Sequence, residues 1–128
     1  MHTERTEGGC LCGEVRIIAK GEPLRVGVCH CLSCRKHHGA VFHASAIFPD
    51  TEVEVQGDYK SYEGRAFCPQ CGSSVVSRSG DEIEVHLGAL DTPNVFKPTY
   101  ELWCSRREDW LPDFPDTKCY AENRTGGV

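Results

Sequence analysis

Seven of the nine cysteines fall into three tight groups: Cys10-x-Cys12, Cys29-x-Cys31-x-x-Cys34 and Cys68-x-x-Cys71. No other feature limits the fold as strongly, because sulfurs spaced this closely must converge on something. A disulfide scaffold is disfavoured by the odd cysteine count, by the tight C-x-C pairs and by the polar stretch Met1 to Gly9, which has no signal-peptide core. Thiolate ligation favours zinc, with iron in a four-thiolate site as the competing choice. Four thiolates saturate a tetrahedral zinc, whereas three leave a second zinc with a free coordination position. A closed site suggests structure and an open one suggests chemistry, so seven ligands predict one of each.

The rest of the chain reads as strands. Polar and apolar residues alternate over Glu14 to Ile18, over Thr51 to Gln56 with Val53 and Val55 inward, and over Glu82 to Leu87 with Ile83, Val85 and Leu87 inward. Phe42, Ala44, Ala46 and Phe48 share one side of another such segment. This is the pattern of half-buried strands in antiparallel sheets. Turn residues punctuate them at Gly21 to Pro23, Pro49-Asp50, Gly57-Asp58, Gly80-Asp81 and Asp91 to Asn94. A helical period is confined to a turn or two around Cys34 to Gly39. The 128 residues predict a single, mainly β domain, frayed over about 121–128.

Period-two geometry extends to the cysteines. In a strand over Leu24 to Cys31, Cys29 and Cys31 share a face opposite Val26 and Val28, and His30 points away from them. A turn through Leu32 and Ser33 then returns Cys34 to the same metal. Cys10 and Cys12 align in the same way. Cys68 to Gly72 is instead a zinc knuckle, in which a positive φ at Gly72 turns backbone N–H groups toward the sulfurs. The redox alternative for Cys-x-x-Cys needs a helix after the first cysteine, but Ser73 to Ser77 reads as strand. Two pairs make four ligands, so Cys10, Cys12, Cys68 and Cys71 suit one zinc and the triplet another, though spacing leaves other pairings open.

The segments Gly9 to Arg16 around Cys10 and Cys12, Cys29 to Lys36 with Gly39-Ala40, and Phe67 to Gly72 resemble the glutathione-dependent formaldehyde-activating enzyme family. Its domain also occurs in centromere protein V. The resemblance covers about residues 5–115. It implies a β-tent fold, a structural zinc on Cys10, Cys12, Cys68 and Cys71, and a catalytic zinc on Cys29, Cys31 and Cys34. It also implies a carbon–sulfur lyase of the S-(hydroxymethyl)glutathione synthase type. One departure stands out: Tyr100-Glu101-Leu102-Trp103 occupies the place of a His-Ile-aromatic segment.

In such an enzyme, zinc lowers the pKa of an incoming thiol, which then attacks an aldehyde carbon. Three thiolates already leave the metal site negative, so nearby cations matter. Arg35 and Lys36 are the sequence candidates for substrate binding. His37 and His38 are placed for proton transfer or labile ligation, and His43 and His86 are weaker candidates. Cys104 and Cys119 read as buried free thiols, and Trp103 and Trp110 as core or pocket wall. The alternative function is a non-catalytic zinc-stabilised module that binds a thiol ligand or a protein. A formal charge of −5 without basic runs argues against nucleic acid. No apolar run is long enough for a membrane span, and reduced thiols suit the cytoplasm.

Overall fold

The computed structural model describes residues 5–124. A three-stranded antiparallel sheet is built from β1 (Arg5–Gly9), β2 (Arg16–Lys20) and β5 (Val53–Gln56), in the order β1-β2-β5. The larger sheet contains β3 (Arg25–Cys29), β4 (His43–Pro49), β6 (Lys60–Tyr62), β7 (Arg65–Phe67), β8 (Ser74–Ser79), β9 (Glu82–His86), β10 (Tyr100–Leu102) and β11 (Lys118–Cys119). Its order is β11-β10-β3-β4-β9-β8-β7-β6. One α-helix, α1 (Leu32–His38), follows β3 and ends at Gly39, whose φ of 61° lets its N–H reach the Arg35 carbonyl. Among the described residues no helix is long and apolar enough to cross a membrane.

The mainly β expectation holds, and so does the short helix. The sheets differ from a purely antiparallel pattern in one place, where β10 runs parallel to both β3 and β11. Parallel neighbours need a crossover, and the long irregular stretch before β10 supplies it. Gly27 makes this docking possible. A Cβ there would lie 2.2 Å from the Tyr100 ring, so only glycine lets β10 close against β3.

The inward residues of both sheets meet in one apolar cluster that includes Val15, Ile17, Phe48, Val75, Ile83 and Val85, all fully buried. Each such side chain contributes roughly 1.5–3 kcal/mol through burial. Two alternating segments are shorter than the sequence suggests. Thr51 and Glu52 lie in a 3-10 turn that delays β5 to Val53, and Leu87 begins another such turn after β9. β4 departs more. Its Ala46 and Phe48 face the core, but His43, Ser45 and Ile47 on its other side are buried too, because β4 sits centrally between β3 and β9. That second face of β4 forms the floor of a pocket.

Residues 121–124, expected to fray, are held. Trp103 N–H donates to the Glu122 carbonyl, Ser105 N–H to that of Ala121, and the Trp103 indole to Asn123. The rest of the expected fray, 125–128, lies outside the described residues.

Candidate metal centres

Cys10, Cys12, Cys68 and Cys71 converge, with their sulfurs within 4.8 Å of one another. Cys12 Sγ lies 3.6 Å from Cys10 Sγ and 3.7 Å from Cys68 Sγ. Zn–S bonds of about 2.3 Å in a tetrahedron put sulfurs about 3.8 Å apart, so this donor set fits zinc. The two arms are both turns. Cys10 and Cys12 lie in a turn after β1 rather than on an extended strand, because Gly13 N–H bonds back to the Cys10 carbonyl. Val15 N–H points at Cys10 Sγ from 3.2 Å. In the other arm Gly72, at φ 79°, donates to the Cys68 carbonyl.

The protonation pattern of these thiols reflects crowding. The Ser73 hydroxyl, then the Ser73 and Cys12 N–H groups, lower Cys71 to about 5. The Glu14 N–H favours the Cys12 thiolate, yet burial and the adjoining thiols push Cys12 up to about 12. Burial opposes the Cys10 thiolate, but the Val15 N–H and the Cys12 and Cys68 thiols hold its pKa below the usual value. The cluster thus loses its first protons readily and keeps the last against mutual repulsion, which a cation relieves.

The second group is built differently. β3 ends at Cys29 rather than continuing to Cys31. His30 N–H donates to the Leu102 carbonyl, and Cys31 becomes the N-cap of α1, its Sγ accepting from Cys34 N–H at 3.3 Å. His30 does point away from the thiols: it is fully buried and its Nε2 lies 2.8 Å from Glu101 Oε1. The tightest cluster here is Cys29, Cys34 and His43, with ligand atoms within 4.8 Å of one another. Cys31 adjoins it through hydrogen bonds to both cysteines. The Cys34 thiol, with Cys31, lowers Cys29 to about 6. Hydrogen bonding to Cys29 and then burial raise Cys34. This donor set of soft thiolates with an adjacent imidazole also suits zinc.

His43 enters because β3 and β4 pair in the register Cys29↔His43, which nothing in the cysteine spacing reveals. It also belongs to a third cluster with His38 and His86. Burial, followed by the neighbouring histidines and Arg65, lowers His38 to about 4 and His43 to about 3. His37 is lowered too, by burial and then Arg65.

Cys29, Cys34 and His43 line a pocket of about 130 Å³ with Arg25, Ser45, Glu84, Tyr100 and Arg124. Arg25, Tyr100 and Arg124 also line an adjoining cleft of about 490 Å³, which reaches Lys118 and Tyr120. Burial raises the pKa of Glu84, opposed by the Ser45 hydroxyl that donates to it at 3.2 Å. Arg35 and Lys36 do not line these pockets. Arg35 pairs with Glu108 and donates to the Arg106 carbonyl at 2.9 Å, while Lys36 is exposed on α1.

Two further expectations need correction. Cys104 is only half-buried and Cys119 is exposed, since β11 is an edge strand. The Cys119 thiol nevertheless turns inward to Glu101 Oε2 at 3.4 Å. Burial, Cys104 and Glu101 raise it to about 12. Trp110 is exposed, its indole donating to Glu108.

The fold and site define a class: a small, mainly β protein with two cysteine clusters able to hold metal ions beside a cationic cleft. A sequence model described as glutathione-dependent formaldehyde-activating enzyme matches residues 5–106, and the chain belongs to that family. A crystal structure of a Rhodobacter sphaeroides protein, a structural-genomics target, is similar in fold, with a TM-score of 0.54 and 22% identity. The match covers 69% of this chain and 90% of that one. No curated protein matches the chain.

Proposed function

We propose that the protein is a zinc-dependent carbon–sulfur lyase similar to S-(hydroxymethyl)glutathione synthase. It forms or cleaves an adduct between glutathione, or a related thiol, and an aldehyde. One observation carries the reading: a four-sulfur cluster stands apart, while Cys29 and Cys34 of the three-cysteine group open onto a cleft rimmed by cations. Family membership supports a glutathione- and formaldehyde-related activity.

In this reading Cys10, Cys12, Cys68 and Cys71 hold a structural zinc, and Cys29, Cys31 and Cys34 hold the catalytic one. When bound there, zinc supplies a coordination position that lowers the pKa of the incoming thiol. The reaction is an addition. The thiol sulfur bonds to the aldehyde carbon, the thiol proton ends on the aldehyde oxygen, and cleavage reverses both. His43 and Glu84 line the pocket beside the thiols and are the groups positioned to hold or pass that proton. Lys118 and Arg124 suit the carboxylates of glutathione, whereas Arg25 is paired with Glu82 of the same cleft at 2.6 Å. Tyr100 and Tyr120 orient two of these cations, with Arg124 5.5 Å from the Tyr100 ring centroid and Lys118 5.1 Å from that of Tyr120. Arg35 ties α1 to the segment 106–108 outside both pockets, and Lys36 contributes only longer-range positive charge.

Exchange spectroscopy on a mixture of glutathione and its hydroxymethyl adduct tests the proposal. The protein is expected to accelerate exchange in both directions, and Cys31→Ser to abolish the acceleration. A shift of adduct concentration in proportion to protein, with unchanged exchange rates, would sink the enzyme reading in favour of a thiol-binding module.

A further inference from the structure

Six buried side-chain polar atoms among the described residues have no hydrogen-bond partner. Three of them, His43 Nδ1, His86 Nδ1 and Ser74 Oγ, belong to residues lining a single cleft, and His37 Nε2 adjoins it. Leaving a buried polar atom unpaired is unfavourable, because nothing replaces its lost hydration. Such a concentration calls for a partner that binds nitrogen lone pairs.

The histidines are arranged to offer them. His38 and His43 stack with centroids 4.2 Å apart, and His86 stands edge-on to both, 4.5 Å from His38 and 5.5 Å from His43. One ring nitrogen from each lies within 4.8 Å of the other two. His86 is 3% exposed and its Nε2 hydrogen-bonds Ser77 Oγ at 2.9 Å. The Ser77 bond fixes the ring, as outer partners orient metal-binding imidazoles, and the Ser74 backbone also hydrogen-bonds it, a contact with which an ion on Nδ1 has to compete. The three rings come from the end of α1, the start of β4 and the end of β9. Tertiary structure alone assembles them.

We infer that His38, His43 and His86 form a metal-binding site for a borderline divalent ion such as Zn2+, Co2+ or Ni2+, adjoining the three-cysteine group and taking His43 as the residue the two clusters share. Imidazole ligands suit these ions. Nitrogens bonded tetrahedrally at about 2.0–2.1 Å lie about 3.4 Å apart, and imidazole lone pairs lie in the ring plane, so the nearly parallel His38 and His43 rings, 11° apart, converge on one ion only when His38 turns out of the stack. His38, half-buried at the helix end, has the freedom to do so. The remaining coordination position faces a cleft of about 320 Å³ that includes Phe42, Ser74 and Gly88. Three neutral ligands leave the ion its full double charge, unlike a three-thiolate site. Its free position therefore favours a small anion or a carbonyl oxygen.

The test is cobalt uptake by the protein as purified, its thiolate-bound metal in place, dialysed against micromolar Co2+. One additional cobalt per chain is expected, with zinc content unchanged, ligand-field absorption present and no thiolate-to-cobalt charge-transfer band. His86→Gln and His38→Gln should each weaken uptake at least about 10-fold, the lower end of the effect of losing even an outer-sphere partner. His38 lies outside the core, so an unaltered melting curve separates ligand loss from unfolding if His86→Gln folds poorly. The inference is overturned if no additional cobalt binds, or if His38→Gln binds it as tightly as the wild type. A charge-transfer band that Cys34→Ser removes would also overturn it, by placing the ion on Cys29, Cys34 and His43.

Discussion

The four-cysteine and three-cysteine clusters use the same sulfur chemistry in opposite settings. Cys10 and Cys68 are buried, and both arms of their cluster are turns whose N–H groups and glycines face the sulfurs. Cys12 and Cys68 lie 56 residues apart, so the cluster ties the small sheet to the far part of the large one. Cys29, Cys31 and Cys34 are all half-buried and sit at a strand-to-helix junction, with Cys29 and Cys34 lining a pocket. Support for this junction comes from behind, through His30 and the buried Glu101. On the proposed reading, the closed cluster secures the chain and the half-buried one beside a pocket meets a ligand.

The contrast is broken most forcefully at Cys68. Cys68→Ser removes a fully buried ligand from the tie between the sheets. Zinc binding of about 10–16 kcal/mol in zinc-finger peptides is as large as the usual total stability of about 5–15 kcal/mol. The variant is expected to lose its cooperative melting transition, as read by circular dichroism or calorimetry.

Glu101→Gln tests the support behind the three-cysteine junction. Glu101 accepts from Thr117 at 2.6 Å and from Arg107 at 3.3 Å, besides His30. Burial opposes its charge, but these partners together hold its pKa below the ordinary carboxylate value. Removing one partner from a buried ion pair costs about 3–5 kcal/mol, and because glutamine retains some hydrogen bonds the lower end is expected in denaturant unfolding. A lowered folded-state pKa means that the stabilisation is present above the unfolded pKa. It is lost as pH falls through the folded value. The stability difference between wild type and Glu101→Gln should therefore shrink below about pH 4.5, the ordinary glutamate range.

The smallest effect sharpens the comparison at the closed cluster. Ser73→Ala removes the hydroxyl that chiefly favours the Cys71 thiolate. Its midpoint for metal release on acidification should move to higher pH, by about one unit or less for a single lost hydrogen bond. An unchanged midpoint would mean that the backbone N–H groups alone set the affinity.

The local parts of this molecule were legible in its sequence. Cysteine spacing and the strand-like run after Cys71 fix the knuckle, and alternation identifies Ile83 and Val85 as core. What escaped depends on pairing between distant segments. His43, a weaker candidate in the sequence, reaches Cys29 only through register, and β4 is buried on both faces because of its neighbours. Cys31 caps a helix instead of extending a strand, a choice made by the backbone bond from His30 to Leu102. Nothing in the spacing around Glu101 signals that it is buried. The signal available was its place between the apolar Tyr100 and Leu102.

The central claim, that the two cysteine clusters hold separate zinc ions with separate roles, is tested most directly by zinc per chain in native mass spectrometry. His38→Gln serves as the background, which keeps the histidine cluster out of the count. Two zincs are predicted, falling to one when Cys31→Ser is added, with the cooperative melt preserved. A single zinc that Cys31→Ser leaves unchanged would contradict the account.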